Sequence, residues 1–199
     1  MPHTPLDHLR REPRLAAVIA QTELPELPHR ELSVYESLLR AIVYQQLSGK
    51  AAGTIHGRFL KLFQTGRPHP DLLLALDLPE LRTVGLSKQK ASYLKNVAQY
   101  FSDKKISDEY WKTQSDESIV EELTTIKGVG EWTVQMLLMF TLQRPDVLPL
   151  RDLAIRNRAV ELFDRTATSK REMDQKIIAA TEPWRPYRTL ACRYLWAWK

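Results

Sequence analysis

Leu123-Thr124-Thr125-Ile126-Lys127-Gly128-Val129-Gly130-Glu131-Trp132-Thr133-Val134 carries the clearest structural signal in the chain. Upstream, Ser115 opens a segment whose Ile119, Val120 and Leu123 fit one helical face; downstream, residues 132–142 form a strongly apolar helical run. Two helices therefore turn sharply at Gly128-Val129-Gly130, where glycine accepts a positive φ without a side-chain penalty. Val129 tucks into the pair and sets its angle. The turn gathers backbone N–H groups at the start of the second helix, at the positive end of its dipole, a phosphate site that needs no basic side chain. The same spacing also fits an ordinary αα-hairpin with a glycine C-cap, and the glycines alone do not choose between the two.

Outward from the hairpin, helix signals dominate. Val34, Leu38, Leu39, Ile42 and Val43 recur on one helical face. After a break at residues 44–47, Ser48 is an N-cap for a helix carrying Ala51, Ile55, Phe59, Leu62 and Phe63. Pro68 and Pro70 end it, and short segments follow at 71–76 and 79–84. Ser87 caps a helix through Tyr93, Leu94, Val97 and Phe101, and helical runs at 150–163, 169–181 and 187–198 follow Pro145 and Pro149. No apolar–polar alternation of strand length occurs. The expected fold class is all-α.

The chain's 199 residues allow one ordinary domain or two small helical lobes sharing a core. Its 43% hydrophobic and 27% charged residues are the balance of a folded protein. A single cysteine, Cys192, excludes an internal disulfide framework and a four-cysteine zinc or iron–sulfur site. No apolar run reaches the roughly 20 residues that span a bilayer, and the N-terminal residues lack the apolar stretch of a secretory signal. An intracellular, soluble protein is expected, cytoplasmic in a bacterium or nuclear in a eukaryote.

The net charge of +5 is uneven. Residues 1–143 hold 17 basic and 17 acidic side chains, whereas 144–199 hold 12 and 7. Within the neutral part, residues 37–70 contain no acid but include Arg40, Lys50, Arg58, Lys61 and Arg67, while 103–131 is net acidic. Such a stretch is either a solvated helix face or a phosphate-facing surface.

The hairpin resembles that of the helix-hairpin-helix DNA glycosylases, with Leu123, Ile126, Gly128, Val129, Gly130 and Thr133 matching its pattern and Lys127 standing where proline is common. The resemblance implies that Lys127, Gly128, Val129, Gly130 and Thr133 hold the DNA backbone. It also implies that the carbonyls of Thr124, Ile126 and Val129 bind a structural Na+ or K+, with no cofactor needed for catalysis. Downstream, Pro149-Leu150-Arg151-Asp152-Leu153-Ala154-Ile155 is similar to a segment of the alkylpurine branch, which makes Asp152 the expected catalytic acid. Taken alone, Asp152 also reads as an ordinary N-cap. Tyr44-Gln45-Gln46-Leu47-Ser48-Gly49-Lys50 resembles the loop that enters the minor groove. Gln46 is then the expected plug and Ser48 lies near the opposite strand, with Gln45 and Lys50 also on DNA.

Family members that also cut the backbone carry a lysine nucleophile where this chain has Trp132, so a monofunctional enzyme with Trp132 lining the base pocket is expected. The ending Trp184-Arg185-Pro186-Tyr187-Arg188 is similar to the family's C-terminal segment, although Arg193, with Tyr194 beside it, stands where some relatives place a stacking aromatic. The family fold implies two helical lobes flanking a cleft, one over 34–145 with the hairpin at 123–134, the other combining 1–33 and 146–199. It would comprise the catalytic lobes without an N-terminal β-rich domain. The implied function is hydrolysis of alkylated purines (3-methyladenine, 7-methylguanine) from double-stranded DNA by a monomer. A silent damage-binding module and a glycosylase for deaminated purines are the rivals. His56 and His69 receive no role.

Overall fold

The computed structural model describes residues 4–26, 32–164 and 166–199, and among them there are α-helices and one short 3-10 turn but no strand. The chain divides into two compact units, residues 31–137 and residues 1–30 with 138–199. The expected division lay past Pro145. The observed one falls inside a helix, because the apolar run that follows the hairpin contributes buried residues on both sides of it.

In the 31–137 unit, α3 (Val34–Tyr44), α4 (Gly49–Leu60), α5 (Pro70–Ala75), α6 (Leu78–Thr83), α7 (Lys88–Lys104), α8 (Asp108–Thr113) and α9 (Asp116–Thr124) precede α10 (Glu131–Phe140). Their starts follow from local chemistry. Ser33 and Glu36 form a reciprocal capping box, and the hydroxyls of Ser48, Ser87 and Ser115 each accept the N–H three residues on. Helix α7 is the centre of the unit. It buries Ala91, Leu94, Val97, Ala98 and Phe101 and packs on α3 and α5, whose Leu38, Leu39, Ile42 and Leu73 are fully enclosed. Trp111 of α8 is completely buried beside Phe101, so its loss to alanine would cost about 3–5 kcal/mol. Helix α4 stops at Leu60, short of Phe63, which the following turn nevertheless buries.

The second unit comprises α1 (Pro5–Leu9), α2 (Pro13–Gln21), the end of α10, α11 (Leu153–Phe163), α12 (Lys170–Thr181) and α13 (Arg188–Ala197). Its core joins Leu9, Leu15 and Val18 to Ile155, Ala159, Ile177, Trp184 and Leu195, with Phe163 stacked on Trp184 at 5.6 Å. The helix expected from residue 150 begins only at Leu153. Residues 148–152 instead form a turn in which the Asp152 N–H donates to the Pro149 carbonyl at 2.9 Å.

Candidate active site

The hairpin joins α9 to α10 through residues 125–130. Gly128 has φ +108°, and a Cβ there would overlap Cγ of Tyr93 on α7. Gly130 departs from the expectation: its φ is not positive, and nothing lies within 4 Å of the site of its Cβ. Two further expectations change. Val129 is 5% exposed and its N–H donates to the Ile126 carbonyl at 2.9 Å, so it closes the turn and leaves no donor for a phosphate. Thr133 is 4% exposed, so its hydroxyl has almost no surface to offer. Lys127 and Gly130 are exposed, as is Trp132 at 42%. Beyond Val129, the N–H groups of residues 130–133 open the first turn of α10.

The loop after α3 sits against this turn within the same unit. The Gln45 amide donates to the Gly128 carbonyl at 3.1 Å, so Gln45 faces the protein where a DNA contact was expected. Gln46 is exposed and held at φ +56°, a left-handed conformation that a non-glycine residue keeps only under constraint from its surroundings. Ser48 caps α4 and is exposed, and Lys50 stands in the first turn of α4. A cation there opposes the helix dipole, which an external anion would relieve.

The acid-free stretch resolves into two groups. Arg40 lies over the Tyr44 ring at 4.0 Å and Arg67 pairs with Glu36 at 3.9 Å, whereas Lys50, Arg58 and Lys61 are exposed along α4 and its end. In the C-terminal segment five of the 12 basic side chains are paired with the segment's own acids: Arg156 with Asp174, Arg158 with Glu161, Lys176 with Glu172, and Arg185 and Arg188 with Asp146. Because those acids belong to the same segment, its surplus of basic over acidic side chains is unchanged.

Asp152 is the N-cap of α11. Its Oδ1 accepts the Ile155 N–H at 2.9 Å and the indole N–H of Trp196 at 3.1 Å. The N-cap reading and the expected site residue therefore coincide in one side chain. Trp196 stacks on Phe140, which is 39% exposed, with centroids 5.8 Å apart. Both rings line a small, mostly apolar cavity of ≈ 170 Å³ with Leu24, Pro25, Arg193 and Ala197. A carboxylate is thus held at the edge of an aromatic wall. Sequence reasoning missed Trp196 and Phe140, although the aromatic cluster at 194–198 was a visible signal.

The segment leading to Asp152 is clamped by the start of α13. Arg188 donates to both Asp146 oxygens through Nε (2.7 Å) and Nη2 (2.9 Å), and Arg185 adds a third bond at 2.6 Å. Thr189 Oγ1 donates to the Arg144 carbonyl and accepts the Val147 N–H. Cys192, in the same region, is fully buried and burial pushes its thiol well up, so it offers no nucleophile. His69 is at the N-cap of α5 near Asp71, and His56 packs against Tyr44.

Residues 39–185 match the HhH-GPD superfamily of base excision DNA repair proteins. The chain belongs to this family. Among its HhH-GPD relatives, DNA-3-methyladenine glycosylase 1 of Schizosaccharomyces pombe is 39% identical over 166 residues, covering 81% of this chain and 71% of that protein. The alkylbase DNA glycosidase-like protein mag2 of the same yeast is 36% identical, over 85% and 79%. The solved structure of S. pombe 3-methyladenine DNA glycosylase (Mag1) in complex with abasic DNA aligns with a TM-score of 0.79 at 34% identity, covering 96% of this chain and 94% of that one. The all-α HhH-GPD fold is thereby established for this protein. No helix among the described residues is long and apolar enough to cross a membrane.

Proposed function

We propose that the protein is a monofunctional DNA glycosylase that hydrolyses the N-glycosidic bond of alkylated purines, of the 3-methyladenine and 7-methylguanine type, in double-stranded DNA. The single observation that carries the reading is Asp152, a carboxylate fixed by a helix-start N–H and an indole N–H beside stacked aromatic rings. The names of the yeast relatives, and the abasic DNA held by the solved one, support it.

The chemistry follows from charge. An alkylated purine is cationic on its ring and leaves as a neutral base without protonation. Positive charge then develops on the deoxyribose, where the Asp152 carboxylate stabilises it. Water adds to C1′ and gives its proton to Asp152, leaving a free base and an abasic site. The Phe140–Trp196 pair offers an electron-rich surface that attracts an electron-poor base, and the exposed face of Trp132, in the 31–137 unit, is by itself a surface of the same kind. The aromatic Trp132 at the position of the lyase lysine supports hydrolysis without strand cleavage.

In this reading Gln46 fills the space left by the flipped nucleotide, Ser48 and Lys50 follow it on DNA, and Lys127, Gly130 and the start of α10 hold phosphate. Hydrolysis needs no cofactor. A Na+ or K+ on the carbonyls of Thr124, Ile126 and Val129 would stiffen the turn. Carbonyl oxygens are the hard ligands such a cation takes, and the Ile126 carbonyl keeps a lone pair beyond the one given to Val129.

Chromatography of bases released from methylated and deaminated duplex DNA tests the proposal. Release of 3-methyladenine or 7-methylguanine, with no covalent DNA adduct on borohydride treatment, is the expected result. Binding without release, or release of hypoxanthine alone, would overturn it.

A further inference from the structure

One face of α7 carries Lys90, Tyr93 and Asn96, three residues apart on successive turns. The Lys90 ammonium donates to the Val43 carbonyl at 2.8 Å and the Gln45 carbonyl at 2.7 Å, where α3 ends and the next loop begins. Tyr93 fills the space against Gly128 that a Cβ would need. Asn96 donates through Nδ2 to the Lys127 carbonyl at 3.0 Å. Gln45 then links the two segments directly through its bond to the Gly128 carbonyl.

The three hydrogen bonds from α7 run from a side chain to a main-chain carbonyl, so each fixes backbone position whatever side chains the loop and the turn carry. Immediately after the doubly held Gln45 stands Gln46 in its left-handed conformation, which such bracing makes tenable. Lys90 is half-buried, and desolvation lowers its pKa, an unfavourable setting for an ammonium unless its donors are needed where they are.

We propose that Lys90 and Asn96 are positioning residues through which α7 locks the 45–48 loop and the 127–130 turn into one register, so that plug and phosphate grip meet the duplex together. The inference rests on the reading that both segments face DNA. Neither residue touches substrate in it. A loosened loop would impair extrusion of the base and leave the chemistry at Asp152 unchanged.

The test compares excision of one alkylated base from a fully paired duplex and from single-stranded DNA, where no base pair has to be opened. Lys90→Met should lower duplex excision by about tenfold to a hundredfold, the scale of a misplaced positioning group, and leave single-strand excision within about twofold. Asn96→Ala should move the same ratio less, and Lys90→Arg should keep most of the wild-type ratio. Hydrogen exchange on the free protein should quicken at residues 45–48 and 127–130 in Lys90→Met and stay unchanged in the core of α7. Equal losses on both substrates, or unchanged exchange at the two segments, would overturn the proposal. If Lys90→Met does not fold, Asn96→Ala, which removes a single bond, is judged by the same ratio and by exchange at 127–130. If the wild type releases no base from either substrate, the glycosylase reading fails, and exchange alone decides whether Lys90 positions the two segments.

Discussion

Gly128 and Gly130 stand two positions apart in one turn and are glycine for different reasons. Gly128 combines φ +108° with a Tyr93 ring in the space of its missing side chain, so Gly128→Ala should destabilise the fold by about 2–4 kcal/mol in denaturant titration. Gly130 has neither constraint, and Gly130→Ala should change stability by less than about 1 kcal/mol. It should nonetheless weaken binding to duplex DNA, because a methyl group would stand where the backbone meets a phosphate. A stability loss at Gly130 without a binding loss would contradict this division. The sequence treats the two glycines alike, since the distinction lies in a ring more than thirty positions upstream. Asp152 shows the converse. Its capping role is local and legible, whereas its bond to Trp196 depends on a contact across the 152–196 interval.

At the scale of elements, the local chemistry of helix starts was readable and long-range clamping was not. Ser48, Ser87, Ser115 and Ser169 cap helices where their sequence context places them. Helices α1 and α2 escape an apolar-periodicity reading because they are short. Their signals are the Thr4–Asp7 capping box and the prolines at 5 and 13, each in a first turn. The Trp184–Arg188 motif was visible as a motif, yet its use as a clamp on Asp146 emerges only from the fold. Breaking that clamp leaves a partly buried carboxylate short of its main partner. Arg188→Ala should therefore cost about 2–4 kcal/mol and lower base release, although Arg188 stands apart from the proposed chemistry. Arg188→Lys should recover little of either, because lysine cannot donate to both oxygens at once. Wild-type stability and activity in Arg188→Ala would show that the clamp is dispensable.

Across the whole molecule, the net charge of +5 says less than the placement of its cations, since five basic side chains of the C-terminal segment are held by that segment's own acids while the cations of α4 stay exposed. Three tyrosines of the 31–137 unit set an alkaline limit. Burial first, then Glu36 and Asp71, raises the pKa of Tyr35; burial and a bond to Glu122 raise that of Tyr100; and the Glu122 bond raises that of Tyr110. Above the ordinary tyrosine value of about 10 the unfolded chain loses these protons and the folded one keeps them, so stability should fall as pH rises past that point. Tyr100→Phe should make the fall shallower, as read by thermal melting between neutral pH and pH 11 or so. A flat profile would contradict the assignment. The all-α class and the hairpin were legible because they repeat local patterns. The aromatic wall and the α7 bracing were not, because they join residues distant in sequence. The account turns on Asp152, and Asp152→Asn isolates it, since asparagine still accepts the Ile155 and Trp196 N–H groups and should keep the fold within about 1 kcal/mol. With melting unchanged, release of 3-methyladenine from methylated DNA should fall by about a hundredfold to a thousandfold. Near-wild-type release by a stably folded Asp152→Asn would contradict the account at its centre.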